Sequence, residues 1–542
     1  MKRLFFIFVF CSYFVSSTAQ NAYNIVPQPV IVKSQADKFV FNKGTRVIIP
    51  EGDPAMHNAS FALIERFMTA SDIALKEETL SEENKDMTNA VFFKTDPKMT
   101  NKEGYRLKIT KERIEVEAAE AVGFFYAMQT IRQLLPPEIE KSTTSGVEWA
   151  VPCVEIEDAP RYAYRGLMVD VSRHFSSVKD VKRYIDLLAF HKINTFHWHL
   201  TDDQGWRIEI KKYPKLSEIS AWRYRTLIGH GNAAAKDRKY KQERYGGFYT
   251  QEEIKDVVAY AGKKFVTIIP EIEMPGHALA ALTAYPELSC TGGPFEVEGN
   301  WGIFNDIYCT RDETFRFLED VLSEVMELFP GTYVHIGGDE AKKTRWERCH
   351  HCQSKINELG LKNEEELQSW FITRIEKFVR SKGRRIIGWE EVTEGGISPE
   401  VTVMAWRGIQ KGITAARQGH DVIMAPQTFC YLDYYQSKDR ETEPLANGGY
   451  LPLDKVYSFD PTPQELSAQE AKHILGGQAN LWREYIPAET HLEYMLFPRL
   501  AALAEAVWSS RDGKDYEDFK KRLVSGVLKH YAALGINYAN HP

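Results

Sequence analysis

The sequence predicts an α/β chain: a (β/α)8 TIM barrel preceded by a smaller α+β domain. Three observations carry that prediction. From Arg165 onward, eight short apolar runs recur with helical stretches between them, and eight alternating βα units describe a closed parallel barrel. Before them, extended runs and one helical stretch alternate without that rhythm. The 542 residues exceed one ordinary domain, and a barrel of about 250 residues or more absorbs much of the excess.

The chain opens on a leader. Lys2 and Arg3 precede an apolar run from Leu4 to Val15, and Ser16-Ser17-Thr18-Ala19 follows as a small-residue cleavage site. Residues 1–19 therefore read as a signal peptide, too short to span a bilayer. Export to the periplasm, the cell surface or the medium is expected. Cys11 raises a lipoprotein reading, but Phe10 is bulkier than the residue that such a signal carries there. No later segment holds 18 uninterrupted apolar residues, so no membrane insertion is expected.

Residues 22–155 form the α+β domain. Phe39-Val-Phe41, Arg46-Val-Ile-Ile49 and Tyr105-Arg-Leu-Lys-Ile109 read as strands, and Ala121 to Leu135 as a helix stopped by Pro136-Pro137. Residues 160–542 hold the barrel and its closing helices. Its strands are expected at Gly166–Val171, Asn194–Leu200, Phe265–Ile269, Tyr333–Ile336, Arg385–Trp389, Val401–Trp406, Asp421–Met424 and Ile474–Ala479. Ser177-Val-Lys-Asp180 and Thr250-Gln-Glu-Glu253 have capping-box spacing and mark helix starts. The stretch from Trp206 to Phe248 is long for a βα loop, and such loops are often functional. A helix is expected near Tyr516 to Leu534, and no further domain is expected within the residues after it.

Composition excludes some partners. The chain is 43% hydrophobic and 26% charged, with a mean hydropathy of −0.38. Losing the leader, with Lys2 and Arg3, takes the formal charge from −7 to −9. No basic block interleaved with aromatics appears, which argues against nucleic acid. Six cysteines remain: Cys153, Cys290, Cys309, Cys349, Cys352 and Cys430. Cys290 and Cys309 flank a Gly-rich loop, and a disulfide between them is the first expectation for an exported protein. Cys349-His-His-Cys352 has half of a zinc pattern, but no second Cys/His pair of matching spacing follows. A local disulfide or free thiols are expected there, and neither metal nor cofactor.

Chemistry concentrates at Tyr333-Val-His-Ile-Gly-Gly-Asp-Glu340. A buried strand runs into Gly337 and Gly338, which allow a tight turn, and Asp339 and Glu340 sit where the strand stops. Adjacent acids in a dry pocket cannot both ionise freely, so one is pushed toward the protonated form a general acid needs. The other strand ends are equally polar. They bring Asp170, Arg173 and His174; His197, His199, Asp202 and Asp203; Glu271, Glu273 and His277; Trp389, Glu390 and Glu391; Tyr431 and Asp433; and Asn480, Trp482 and Glu484.

His335-Ile-Gly-Gly-Asp339-Glu340 resembles the active-site motif of glycoside hydrolase family 20, the β-N-acetylhexosaminidases. Arg165 to Arg173, His197 to Trp206, Pro270 to His277 and Gly476 to Trp482 resemble further motifs of that family, in the same order. The resemblance spans nearly all of the chain after the leader. It implies a glycan substrate with a terminal β-linked N-acetylhexosamine, hydrolysed by a substrate-assisted route in place of the two-carboxylate scheme. It makes Glu340 the general acid and base, Asp339 the acceptor for the acetamido N–H, and Tyr431 the donor to the acetamido oxygen. It gives Arg173, Asp433 and Glu484 to the sugar hydroxyls, and Trp370, Trp389 and Trp482 to the pocket walls. Asp202 and His277 are implied to orient the catalytic pair. Trp370 lies in a helical stretch where core packing is an equal reading, and Trp406 is left as core.

Three rivals have sequence support. His197-Trp-His199 with Asp202 suggests a metal-dependent hydrolase, but such barrels carry the pair on the first strand and further His ligands on later ones. A non-catalytic glycan-binding protein would keep the pocket, but Glu340, Asp339 and Tyr431 stand together here. A disaccharide-releasing member of the same family, such as a lacto-N-biosidase, differs in its pocket-closing loops.

Overall fold

The computed structural model describes residues 23–81, 86–143 and 145–541; the leader predicted at 1–19 lies outside them. The first domain is a seven-stranded sheet, in the spatial order Ile31–Val40, Ala150–Asp158, Tyr105–Ile109, Ile114–Ala118, Ala90–Thr95, Arg46–Ile49 and Lys76–Thr79. Tyr105-Arg-Leu-Lys-Ile109 alternates buried and exposed residues, the period of a strand with one wet face. Its apolar side packs with the helices Pro54–Ala70 and Ala121–Leu134. The second of these stops before Pro136-Pro137, which cannot continue it.

Eight parallel strands then close into a barrel: Tyr164–Asp170, Thr195–His199, Thr267–Glu271, Tyr333–His335, Arg385–Trp389, Thr402–Ala405, Val422–Met424 and Ile474–Leu481. Both capping boxes form, Ser177 with Asp180 on helix Val178–Phe190 and Thr250 with Glu253 on helix Gln251–Lys263. The third strand starts later than its apolar run suggests. Phe265 has φ +55° in the turn leaving the preceding helix, and its ring packs on Phe125 of the first domain. That shift brings Glu271 into the strand. The long stretch after Trp206 folds into a hairpin, Trp222–Ile228 against Lys239–Gly246. No described helix is long and apolar enough to cross a membrane.

Register decides what the barrel presents. Asp170 pairs with His199, His199 with Glu271, and Glu271 with His335, so four titratable residues on four adjacent strands stand at one level of the C-terminal rim. The expected Cys290–Cys309 disulfide is absent: both cysteines are free, and both sulfurs lie against Cys352 in one group of four thiols that includes Cys349.

The two domains are joined by buried polar contacts. Arg165 Nη2 lies 2.7 Å from Glu103 Oε1, and Lys192 Nζ lies 2.8 Å from Asp158 Oδ2. Trp508 Nε1 donates to Asp158 Oδ1 at 2.8 Å. An ammonium without its carboxylate in such a place is costly. Asp158→Ala should therefore destabilise the protein by about 3–5 kcal/mol, read as a lower urea midpoint. An unchanged midpoint would mean that Lys192 does not depend on this carboxylate.

Candidate active site

The turn after the fourth barrel strand is built for closeness. Gly337 (φ +67°) has the Glu273 carboxyl where a side chain would stand, with Oε2 only 1.7 Å from the position of a Cβ. Gly338 (φ +95°) likewise faces Val392, 2.4 Å from a Cβ position. Trp389 N–H donates to the Gly337 carbonyl at 2.9 Å and Gln368 Nε2 to the Gly338 carbonyl at 2.7 Å. Asp339 then points into the barrel mouth, 8% exposed, and Glu340 follows at φ +47°, partly open to solvent.

Behind this pair runs a chain of alternating charge. Glu271 takes His199 Nδ1, His197 Nε2 at 3.0 Å, His335 Nδ1 at 2.8 Å and Trp389 Nε1 at 2.9 Å. Burial alone would lift the Glu271 carboxyl, but the surrounding imidazoles hold it well below its ordinary value. Burial opposes charge on His199 too, yet Glu271 and Asp202 raise it to about 10. His199 Nε2 reaches Asp202 Oδ2 at 2.9 Å, where Arg173 Nη2 also arrives at 2.8 Å. His277 Nδ1 meets Asp202 Oδ1 at 3.2 Å and Asp203 Oδ2 at 3.1 Å. Its Nε2 lies 3.6 Å from Asp339 Oδ2 and 3.5 Å from Glu340 Oε2. With carboxylates on both sides, His277 stays an imidazolium well above the usual histidine range despite its burial. Asp339 itself is pushed up to about 7, chiefly by burial and further by Glu340, with His277 pulling the other way.

These side chains open on a cavity of about 190 Å³ lined by Arg173, Asp202, His277, Asp339, Glu340, Trp389, Tyr431, Trp482 and Glu484, nine of the eleven expected site residues. Aromatic rings form its wall. Trp406 lies nearly parallel to Tyr431 at 6.0 Å, and Trp482 stands 5.9 Å from Trp389. Arg173 Cζ sits 5.1 Å over the Trp482 ring. Asp433 is set just behind the lining, where its Oδ2 accepts from Asn447 Nδ2 at 3.2 Å; burial, then Glu484, lifts its carboxyl. Oδ1 of Asp339, Oδ1 of Asp433 and Oε2 of Glu484 are buried acceptors without a hydrogen-bond partner among the described residues. Buried polar atoms are normally satisfied, so three such acceptors around one cavity suit a ligand rich in O–H and N–H donors.

Trp370 does not belong to the cavity. It sits on helix Glu364–Ser381 with its ring edge-on to Phe315 at 5.3 Å, so the core reading of its helical stretch holds. Trp406 is the reverse case. Its backbone N–H donates to Glu390 Oε2 at 2.7 Å and its Nε1 to Glu391 Oε2 at 3.1 Å, and these bonds hold the ring at the cavity and out of the core. Gln427, Tyr434 and Asn447 also line it. Trp406 was visible as the end of the sixth strand; Gln427 and Tyr434 flank Tyr431, while Asn447 carries only a turn signal.

The family profile described as "Glycosyl hydrolase family 20, catalytic domain" matches residues 162–511, and "Glycosyl hydrolase family 20, domain 2" matches 22–159. The chain belongs to glycosyl hydrolase family 20. A β-hexosaminidase of Porphyromonas gingivalis is 45% identical over 95% of this chain and 64% of its own length. One of Vibrio furnissii is 39% identical over 76% of this chain and 66% of its own length, so the chain spans just under two thirds of both relatives. Among solved structures, the exo β-N-acetylglucosaminidase of Vibrio harveyi, in complex with N-acetylglucosamine, superposes with a TM-score of 0.83 at 35% identity, covering 96% of this chain and 79% of that one. The N-acetyl-β-hexosaminidase of Streptomyces plicatus gives 0.82 at 32%, covering 96% and 97%.

The raised Asp339 carboxyl has a consequence for stability. It keeps its proton to about pH 7 in the folded chain, whereas an unfolded aspartic acid releases it near ~4. The folded state binds more protons between those values, so this contribution is complete below about pH 4 and is lost as the pH rises to about 7. Asp339→Asn removes the titration, and its urea midpoint should gain on the wild type's across that interval. Parallel midpoint curves for the two proteins would place the proton elsewhere.

Proposed function

We propose that this protein is an exo-acting β-N-acetylhexosaminidase, cleaving terminal non-reducing β-linked GlcNAc or GalNAc with retention, the substrate's own acetamido oxygen serving as nucleophile. The observation that carries the reading is Asp339, buried in an aromatic wall with Tyr431, beside the more open Glu340. Two adjacent acids in such different surroundings suit two different tasks. The GlcNAc bound in the V. harveyi relative supports the substrate class.

In the first step the acetamido oxygen attacks the anomeric carbon as the glycosidic C–O bond breaks, and Glu340 donates its proton to the departing oxygen. Asp339 accepts the acetamido N–H and stabilises the positive charge of the oxazolinium, while the Tyr431 hydroxyl donates to the acetamido oxygen and aligns it. Glu340, now a carboxylate, then takes a proton from the incoming water. Water adds to the anomeric carbon, the oxazoline ring opens, and two inversions leave the β configuration. Arg173, Asp433 and Glu484 hold the hydroxyls, and Trp389, Trp406 and Trp482 enclose the ring. Asp202 acts through Arg173 and His277. The leader-like residues 1–19 support export, and the chemistry calls on no cofactor.

Chromogenic β-N-acetylglucosaminide should be cleaved, and the matching β-glucoside without the acetamido group should not. Cleavage of both would point to a nucleophile on the enzyme; cleavage of neither would favour a disaccharide-releasing enzyme or a glycan-binding protein. Glu340→Gln should lower kcat on a natural disaccharide by about 10²–10⁴-fold, with a smaller loss on an activated aryl glycoside that needs no proton. Tyr431→Phe should lower kcat by about 10²–10³-fold on both. Wild-type turnover of the disaccharide by Glu340→Gln would remove that residue from the acid role.

A further inference from the structure

Four cysteines far apart in sequence meet at one point. Cys290 and Cys309 lie in the loop after the third barrel strand; Cys349 and Cys352 begin helix His350–Leu359 after the fourth. Cys309, Cys349 and Cys352 are buried and Cys290 partly so. The Sγ separations are 3.7 Å for Cys290–Cys352, 3.7 Å for Cys309–Cys352 and 3.9 Å for Cys309–Cys349, and all four sulfurs lie within 4.8 Å of one another.

Three of the six separations match the edge of a tetrahedral thiolate site, and the other three are no longer than 4.8 Å. Zinc holds thiolates at about 2.3 Å, which places tetrahedral sulfurs ~3.8 Å apart. Disulfide pairing would give each sulfur one close partner, whereas Cys309 and Cys352 each have two at nearly equal range. The donor set is all cysteine sulfur, with no imidazole or carboxylate in the group. Soft sulfur ligands in tetrahedral array select zinc over the oxygen-seeking cations. The pattern was half visible as Cys349-x-x-Cys352; its other half precedes it and is split over a loop.

We propose that Cys290, Cys309, Cys349 and Cys352 form a closed structural Zn²⁺ site that clamps the loop after the third strand to the helix after the fourth. Binding exchanges four thiol protons for one Zn²⁺ with no change in oxidation state. Four protein ligands fill the coordination sphere, so the site does no hydrolytic chemistry. Its place gives it a purpose. The loop begins beside His277 and the helix follows Asp339 and Glu340. The loop is also stitched to the short helix just before that one, Thr344–Arg348, by Trp346 Nε1 donating to the Tyr308 carbonyl at 2.8 Å and by Arg345 Nε at 2.8 Å from Asp306 Oδ1. The clamp thus positions the imidazolium against the catalytic pair.

The test is metal content together with thiol count. Protein expressed in zinc-supplemented medium and desalted through EDTA should retain one zinc per chain by elemental mass spectrometry. Unfolding in EDTA should then expose all six thiols of the mature chain to Ellman's reagent. Cys352→Ser should lose the zinc, and Cys153→Ser, outside the group, should keep it. Cobalt(II) added to reduced wild-type apoprotein should give the visible bands and sulfur charge-transfer absorption of a tetrahedral thiolate site, a readout independent of whether Cys352→Ser folds. Zinc-free protein with two or four thiols missing would overturn the proposal in favour of disulfides. Zinc-free protein with six reduced thiols and no cobalt spectrum would overturn it in favour of a bare thiol core, and iron in place of zinc would also refute it.

Discussion

The rest of the barrel mouth depends on keeping many buried acids from repelling one another. Glu271, Asp202, Asp203, Asp339 and Glu340 occupy one small region, four of them buried, and no arrangement of carboxylates alone would hold together there. The structure alternates them with cations: His199 between Glu271 and Asp202, Arg173 on Asp202, and His277 between Asp202 and the Asp339–Glu340 pair. Strand register creates the first part of the series, because Asp170, His199, Glu271 and His335 share one level. Each inner member lies between neighbours of opposite charge, so its loss leaves a buried charge exposed to its like. The cost of that disorder holds the reacting groups in place.

The series also assigns the protons. His199 and His277 are held charged by acids on either side, and Glu271 is held ionised by imidazoles. Asp339 stands at the end, where burial outweighs its one nearby imidazolium and lifts it to about 7. An acid balanced there is sensitive to whatever enters the cavity. An N–H donor would pull it toward the carboxylate, so a substrate carrying an acetamido group would itself help to set the charge that the reaction needs.

Much of this was legible in the chain because its signals are local. The eight apolar runs fall on the eight strands, both capping boxes form, and Gly337 and Gly338 adopt the positive φ that the motif demands. What could not be read depends on neighbours distant in sequence. Glu273 fills the space over Gly337, a contact between two strands' loops. Trp370 and Trp406 look alike as isolated tryptophans, and only the partners Phe315 and Glu390 separate a ring in the helical layer from one at the cavity. The start of the third strand moved because Phe265 serves the packing between domains. The cysteines were misjudged for the same reason, since two strands had to be side by side before Cys349 and Cys352 could meet Cys290 and Cys309.

The two sides of the cavity divide the work of binding. In the proposed reaction, contacts from Arg173, Asp433 and Glu484 to sugar hydroxyls would change little, because no charge develops on those oxygens. Such contacts hold ground state and transition state alike, so their loss belongs mainly in KM. Under the proposed mechanism Asp339 and Tyr431 would face the group whose charge grows as the oxazolinium forms, and their hydrogen bonds would strengthen along that path, so their loss would belong in kcat. The aromatic wall joins the two sides: by excluding water it would strengthen an Asp339 interaction with the acetamido group, and it would fix the ring that the hydroxyl contacts orient. On this proposal, binding energy gathered at the far hydroxyls would serve to place the acetamido oxygen against the anomeric carbon, the one approach that such chemistry requires.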